Sequence, residues 1–134
     1  MKRVKLDISK GRTIQDLQQD FTNCYNFLKL EFYKPTEAGA SVRLRERIPH
    51  SALLRSAGLK DNGYVEINDD MTVGDLEKKF LDQFGLSVQV SRNSGGIWLE
   101  TTMTDNWSLQ KQNDYGREIR QTPRQNIRQQ DELY

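Results

Sequence analysis

The sequence predicts an α+β fold: two pseudo-symmetric βαββ repeats forming one two-layer domain, with short extra helices and a C-terminal tail. Three observations predict it. The phrase TIQDLQQDF at 13–21 returns as TVGDLEKKF at 72–80. A strand pattern precedes each copy and two alternating segments follow it. Finally, one copy holds too few apolar residues to bury both its helix and its sheet, so two must complete one core.

The elements follow in order. Val4, Leu6 and Ile8 alternate with Arg3, Lys5, Asp7 and Ser9, the pattern of a strand buried on one face. At an offset of 59, Leu6, Ile8, Thr13, Asp16, Leu17 and Phe21 meet Val65, Ile67, Thr72, Asp75, Leu76 and Phe80. Val73, Leu76, Phe80 and Phe84 recur at spacings of three and four, one stripe of an amphipathic helix. An N-cap is expected near Thr72, where Asp75 and Glu77 suit the positive helix end. Gly85 stands where a left-handed cap belongs, and Asn26 holds that place in the first copy.

LKLEFY (28–33) answers LSVQVS (86–91) at an offset of 58, and VRLRE (42–46) answers IWLET (97–101) at 55. Asn93-Ser94-Gly95-Gly96 predicts a hairpin turn, with the longer KPTEAGA (34–40) in its place in copy one. PHSALLRSAGLKDNG (49–63) predicts a short helix capped by Ser51 and stopped at Gly58, and TDNWSLQKQN (104–113) predicts another. One domain is therefore expected over 1–113, with repeat one at 1–60 and repeat two at 61–113. Residues 114–134 lack a long apolar face and carry Pro123, so a flexible or loosely docked tail is expected. In architecture the tandem units resemble the TATA-binding-protein-like and vicinal-oxygen-chelate-like groups. Neither group's intercalating Phe pairs nor its His/Glu metal ligands stand at matching positions, so no membership follows.

A net charge of +1 conceals an asymmetry. Residues 1–60 carry 12 Lys and Arg against 6 Asp and Glu, and residues 61–108 carry 3 against 9. Such halves can pair with each other, between chains, or with two different partners. In SVRLRERI the arginines Arg43, Arg45 and Arg47 share one strand face. If that sheet's inner face holds Leu6, Ile8, Leu30 and Phe32, the outer one collects Lys5, Lys29 and Tyr33 beside them, a candidate anion or nucleic-acid surface. Asp7 and Glu31 on the same face cancel part of its field. In copy two Trp98 stands where Arg43 stands in copy one, and Trp98 and Trp107 are candidate partner contacts. A shared position of these two tryptophans beneath the C-terminal arm is the alternative for Trp98.

Catalysis finds no constellation. His50 is the only histidine, no G-x-S-x-G stretch occurs, and Cys24 lies near the Phe21 stripe as a small apolar group. One Cys and one His offer no metal-ligand spacing, and DNGYVEINDD (61–70) lacks the order of an EF-hand loop. No cofactor is expected. A lone cysteine fits a reducing compartment, and neither a signal peptide nor a membrane span is written in the chain, so the expected location is cytoplasmic. The expected function is a small non-enzymatic binding or adaptor module acting on another protein or on itself. A nucleic-acid-associated accessory protein using the arginine strand is the alternative, and an enzyme with an unrecognised site is the second alternative.

Overall fold

The computed structural model describes residues 3–34 and 45–121, the side chains of Arg120 and Gln121 excepted. Arg43 and most of the KPTEAGA turn lie outside these residues. Five strands and three α-helices follow one another as β1 (Arg3–Ile8), α1 (Ile14–Cys24), β2 (Leu28–Tyr33), β3 (Gly63–Asn68), α2 (Val73–Phe84), β4 (Ser87–Ser94), β5 (Ile97–Glu100) and α3 (Leu109–Gln121). The class is α+β, with two antiparallel sheets among the described residues.

Both sheets are made across the two halves of the sequence. β1 pairs with β3, setting Leu6 opposite Val65 and Val4 opposite Ile67. β2 pairs with β4, setting Leu30 opposite Val90 and Glu31 opposite Gln89, and β4 continues into β5. The pairing follows from the core. Leu6 and Ile8 on β1 and Val65 and Ile67 on β3 turn one face inward, and Leu17, Phe21, Leu76 and Phe80 close over it. Each such side chain contributes about 1.5–3 kcal/mol when fully buried, an upper figure because unfolded chains already bury part of it. Phe32 meets Phe80 edge-on at 6.3 Å, tying the three-stranded sheet to α2.

The two helices start alike. Thr13 Oγ1 accepts from the Asp16 amide and Asp16 accepts from the Thr13 amide, a closed capping box. Thr72 Oγ1 accepts from the Asp75 amide. Beyond the cap, the first amides of each helix reach loop carbonyls. Ile14 and Gln15 donate to Ala52 and His50 (both 2.9 Å), while Val73 and Gly74 donate to Trp107 and Asp105 (3.1 and 2.8 Å). The return bonds run from Leu54 to Arg12 and from Leu109 to Met71, both at 2.8 Å. All three pairs join positions that the offsets 59 and 55 set opposite one another.

Three expectations change. Ser51 caps nothing: the segment forms a single 3-10 turn, Leu54–Ala57, with Leu53 at its start and no side-chain cap. The carbonyls of His50 and Ala52 are already taken by α1, so the loop cannot wind further, although Gly58 does stop it in the left-handed region (φ 102°). Asn26 is not a left-handed cap, because α1 ends on Tyr25 in an extended conformation (φ −133°) and no described residue other than glycine has positive φ. Most of the VRLRE strand lies outside the described residues; at its end Lys34 donates to the Glu46 carbonyl at 2.9 Å, and Arg47 beyond it forms an isolated bridge with Tyr33. Finally, α3 begins at Leu109 and runs through 113 to Gln121, so the expected tail boundary falls inside a helix.

That helix docks through polar groups, which apolar periodicity cannot find. Gln112 and Asn113 are buried. Asn113 accepts from the Phe27 amide at 2.8 Å, and Gln112 donates to Thr104 and accepts from Arg92. Gly116 allows the close approach: a Cβ there would lie 2.9 Å from the Asn93 carbonyl oxygen and from Phe27 Cβ. Among the described residues no helix is long and apolar enough to cross a membrane.

Candidate interaction surface

The cations singled out in the sequence do not form one open face. Lys5 lies on the β1–β3 sheet, with its ammonium 4.6 Å from the centre of the Tyr64 ring, whereas Lys29 and Tyr33 belong to the other sheet. The expected grouping of Lys5 with them is therefore corrected: β1 pairs with β3 and not with β2. Arg45 stacks its guanidinium over the Tyr33 ring at 4.3 Å and reaches Glu100 at 3.7 Å, and Tyr33 is buried beneath it. Arg45 Nε is buried without a hydrogen-bond partner. Arg47 lies 3.5 Å from Glu31, and hydrogen bonding to Tyr33, then the Glu31 charge, pushes its pKa up. Glu31 binds Lys29 through its other oxygen at 2.8 Å. Each described cation of this group on the three-stranded sheet thus contacts a carboxylate of the same molecule, Lys29 and Arg47 sharing Glu31, and the ring of Tyr33 is not offered for stacking.

The two tryptophans have separate places. Trp107 packs edge-on against Tyr115 at 5.5 Å beneath Lys111, and its carbonyl receives the Val73 amide, so it holds the start of α2. The Trp98 ring, on β5, carries the Lys29 ammonium at 4.6 Å. The two do not stack in the described structure, and Trp98 remains 38% exposed.

Around Trp98 the structure brings together what alternation did not single out. β5 leaves Ile97 64% exposed and Leu99 45% exposed, and Met103 stands open in the turn that follows. The hairpin that presents β5 turns on Gly95 and Gly96, both at positive φ (64° and 93°). With Ser94 opposite Ile97 and Arg92 opposite Leu99 as the hydrogen-bonded pairs of a two-residue hairpin, the amides of Trp98 and Glu100 point away from β4. Among the described residues no strand pairs with that edge. The ladder ends where Glu77 of α2 intervenes: its carboxylate accepts the Val90 amide at 2.9 Å, and Thr101 bonds the Val90 carbonyl. Burial pushes the Glu77 pKa up to about 7 against the pull of that amide, with Asp105 adding to the rise. The run IWL, three apolar residues in succession, was the available signal for an edge apolar on both faces.

Beside this edge lies a cleft of about 370 Å³ between α1 and the outer face of β2, reached by Lys29, Glu31, Arg47, His50 and Trp98. A larger hollow of about 560 Å³ follows the polar side of α2, lined by Asp70, Asp75, Asp82, Lys78 and Lys79. Its charges alternate along one solvated helix face, so size alone does not make it the site. Among the described residues no group of His, Cys, Asp and Glu is placed to hold a metal ion. No protein-family model, curated protein or solved structure matches this chain.

Proposed function

We propose that the chain is a non-enzymatic binding module, built from two copies of one βαββ unit, that takes an extended segment of a partner protein on the open edge of β5. One observation carries the proposal: a four-residue edge strand with Ile97, Trp98 and Leu99 exposed in succession and two amides directed outward. Edge strands are ordinarily blunted by lysine, proline, a bulge or a cover, and β5 has only Glu100 to do this. Strand addition supplies affinity through main-chain hydrogen bonds and selectivity through alternate side chains, for which Trp98 on one face and Ile97 and Leu99 on the other are the anchors. The recurrence of the capping threonines and of the three loop bonds supports the two-copy part of the proposal. The partly buried Cys24 suits a cytoplasmic setting.

Nucleic-acid binding is the weaker alternative, because Arg45, Arg47 and Lys29 are engaged by Glu100 and Glu31. The same pairing weakens charge-driven self-association through the arginine strand. The test is co-purification of the tagged chain from its native cells at low and high salt, beside Ile97→Lys. A defined protein retained at high salt by the wild type and lost with Ile97→Lys supports the edge. Nucleic acid released by salt, or a protein retained equally by the variant, contradicts it.

A further inference from the structure

Positive charge is left over in the cleft between α1 and β2. Among the described residues its single carboxylate, Glu31, is buried and takes Lys29 on one oxygen at 2.8 Å and Arg47 on the other at 3.5 Å. The nearby acids are held elsewhere, Glu46 by Lys34 at 3.1 Å and Glu100 by Arg45 at 3.7 Å. Two cations against one carboxylate leave one positive unit, with His50 at the rim counted as neutral. The α1 wall adds no charge. Gln18 spends its amide on the Leu30 carbonyl and Thr22 its hydroxyl on the Leu28 carbonyl.

These cations also have partners that direct them, Lys29 more closely than Arg47, whose side chain is 64% exposed. Lys29 is held between Glu31 and the Trp98 ring, and Arg47 between Glu31 and Tyr33. Donors oriented in advance cost less to engage than free side chains, and a guanidinium still has several N–H groups to offer a flat anion. A dianion such as phosphate matches the site poorly, because one positive unit faces it over the buried Glu31. A monoanion matches. The exposed part of Trp98 supplies an apolar wall at one end, and 370 Å³ holds an acid group together with a ring. We infer that this cleft binds a carboxylate monoanion between Lys29 and Arg47, with the ligand's apolar or aromatic part against Trp98. A small organic acid and the C-terminal carboxylate of a peptide share this chemistry.

The test is residue-resolved NMR titration of the full chain with benzoate, with benzamide as its neutral counterpart, with N-acetylphenylalanine and its amide, and with inorganic phosphate. Benzoate and N-acetylphenylalanine are expected to shift the Trp98 indole N–H and the Lys29 and Arg47 amides saturably, with the neutral partners about tenfold weaker or silent. The tighter of the two acids tells small acid from peptide terminus. Arg47→Gln and Lys29→Gln should each weaken binding by about tenfold, and Lys111→Gln, beside Trp107, should not. Absence of saturable shifts, equal binding of benzamide and benzoate, tighter binding of phosphate, or unchanged affinity in a folded Arg47→Gln overturns the inference. Should either variant fail to fold, the comparison of charged and neutral probes on the wild type decides. Ile97→Lys leaves the cleft's cations in place, so the outcome here is separate from that at the β5 edge.

Discussion

Leu6 lies directly opposite Val65 across the β1–β3 ladder, and these are the residues that an offset of 59 sets equivalent. The same holds in the second sheet, where Glu31 faces Gln89 at an offset of 58. In both sheets the antiparallel ladder joins one half of the chain to the other, so neither half completes a sheet within itself. Each half then donates its apolar strand faces to a core that the other half completes.

The first prediction concerns that shared core. Residues 1–60 and 61–134, prepared separately, are expected to show no cooperative thermal transition, and mixing them should restore the β1–β3 and β2–β4 ladders. NMR spectra of labelled 1–60, alone and with its unlabelled complement, check this. A dispersed spectrum from either half alone would contradict it.

A second prediction rests on Gly116. Its replacement by Ala places a methyl group 2.9 Å from a backbone carbonyl and from Phe27 Cβ, where neither can yield cheaply. Gly116→Ala should cost about 1–3 kcal/mol in chemical denaturation and raise hydrogen exchange along α3. Gly11→Ala, with nothing within 4 Å of the new Cβ, serves as the neutral comparison.

The third is a pH dependence. The folded pKa of Glu77, about 7, lies above its ordinary 4.5, so the folded state holds its proton over a range in which the unfolded chain has released it. Stability from this residue is therefore fully present below about pH 4.5 and is lost as pH rises to 7. Glu77→Gln keeps an acceptor for the Val90 amide and does not titrate. Its stability relative to wild type should grow between pH 4.5 and 7 and stay level above, by no more than about 3 kcal/mol. Denaturation curves at pH 5 and 8 measure the difference.

The parts of the fold legible in the sequence were those written in apolar periodicity. Val4, Leu6 and Ile8 declared a strand, Val73 to Phe84 a helix, and Gly85, at φ 67°, its left-handed stop. What alternation conceals is which strands pair, because the faces of β1 and β2 look the same before the chain is folded. Alternation therefore puts Lys5 with Lys29 and Tyr33, and the cross-half pairing sets it on the other sheet. The docking of α3 was concealed for another reason. Gln112 and Asn113 bury amides against Thr104, Arg92 and the Phe27 amide, and polar residues that are satisfied inside look in sequence like residues left outside. At the candidate site Lys29, Arg47 and Trp98 are legible as residue types, but the contact of Glu31 with two of them arises only when the chain after β2 folds back beside it.

The most direct measurement of the central claim is photo-crosslinking from the β5 edge in the native cell. A crosslinking amino acid replaces Leu99 in one variant and the exposed Tyr64, on the other sheet, in a second. A partner strand added to β5 predicts one protein adduct from position 99, absent from position 64 and abolished when Ile97→Lys is added. Equal adducts from both positions, a nucleic-acid adduct, or none from position 99 would contradict the claim.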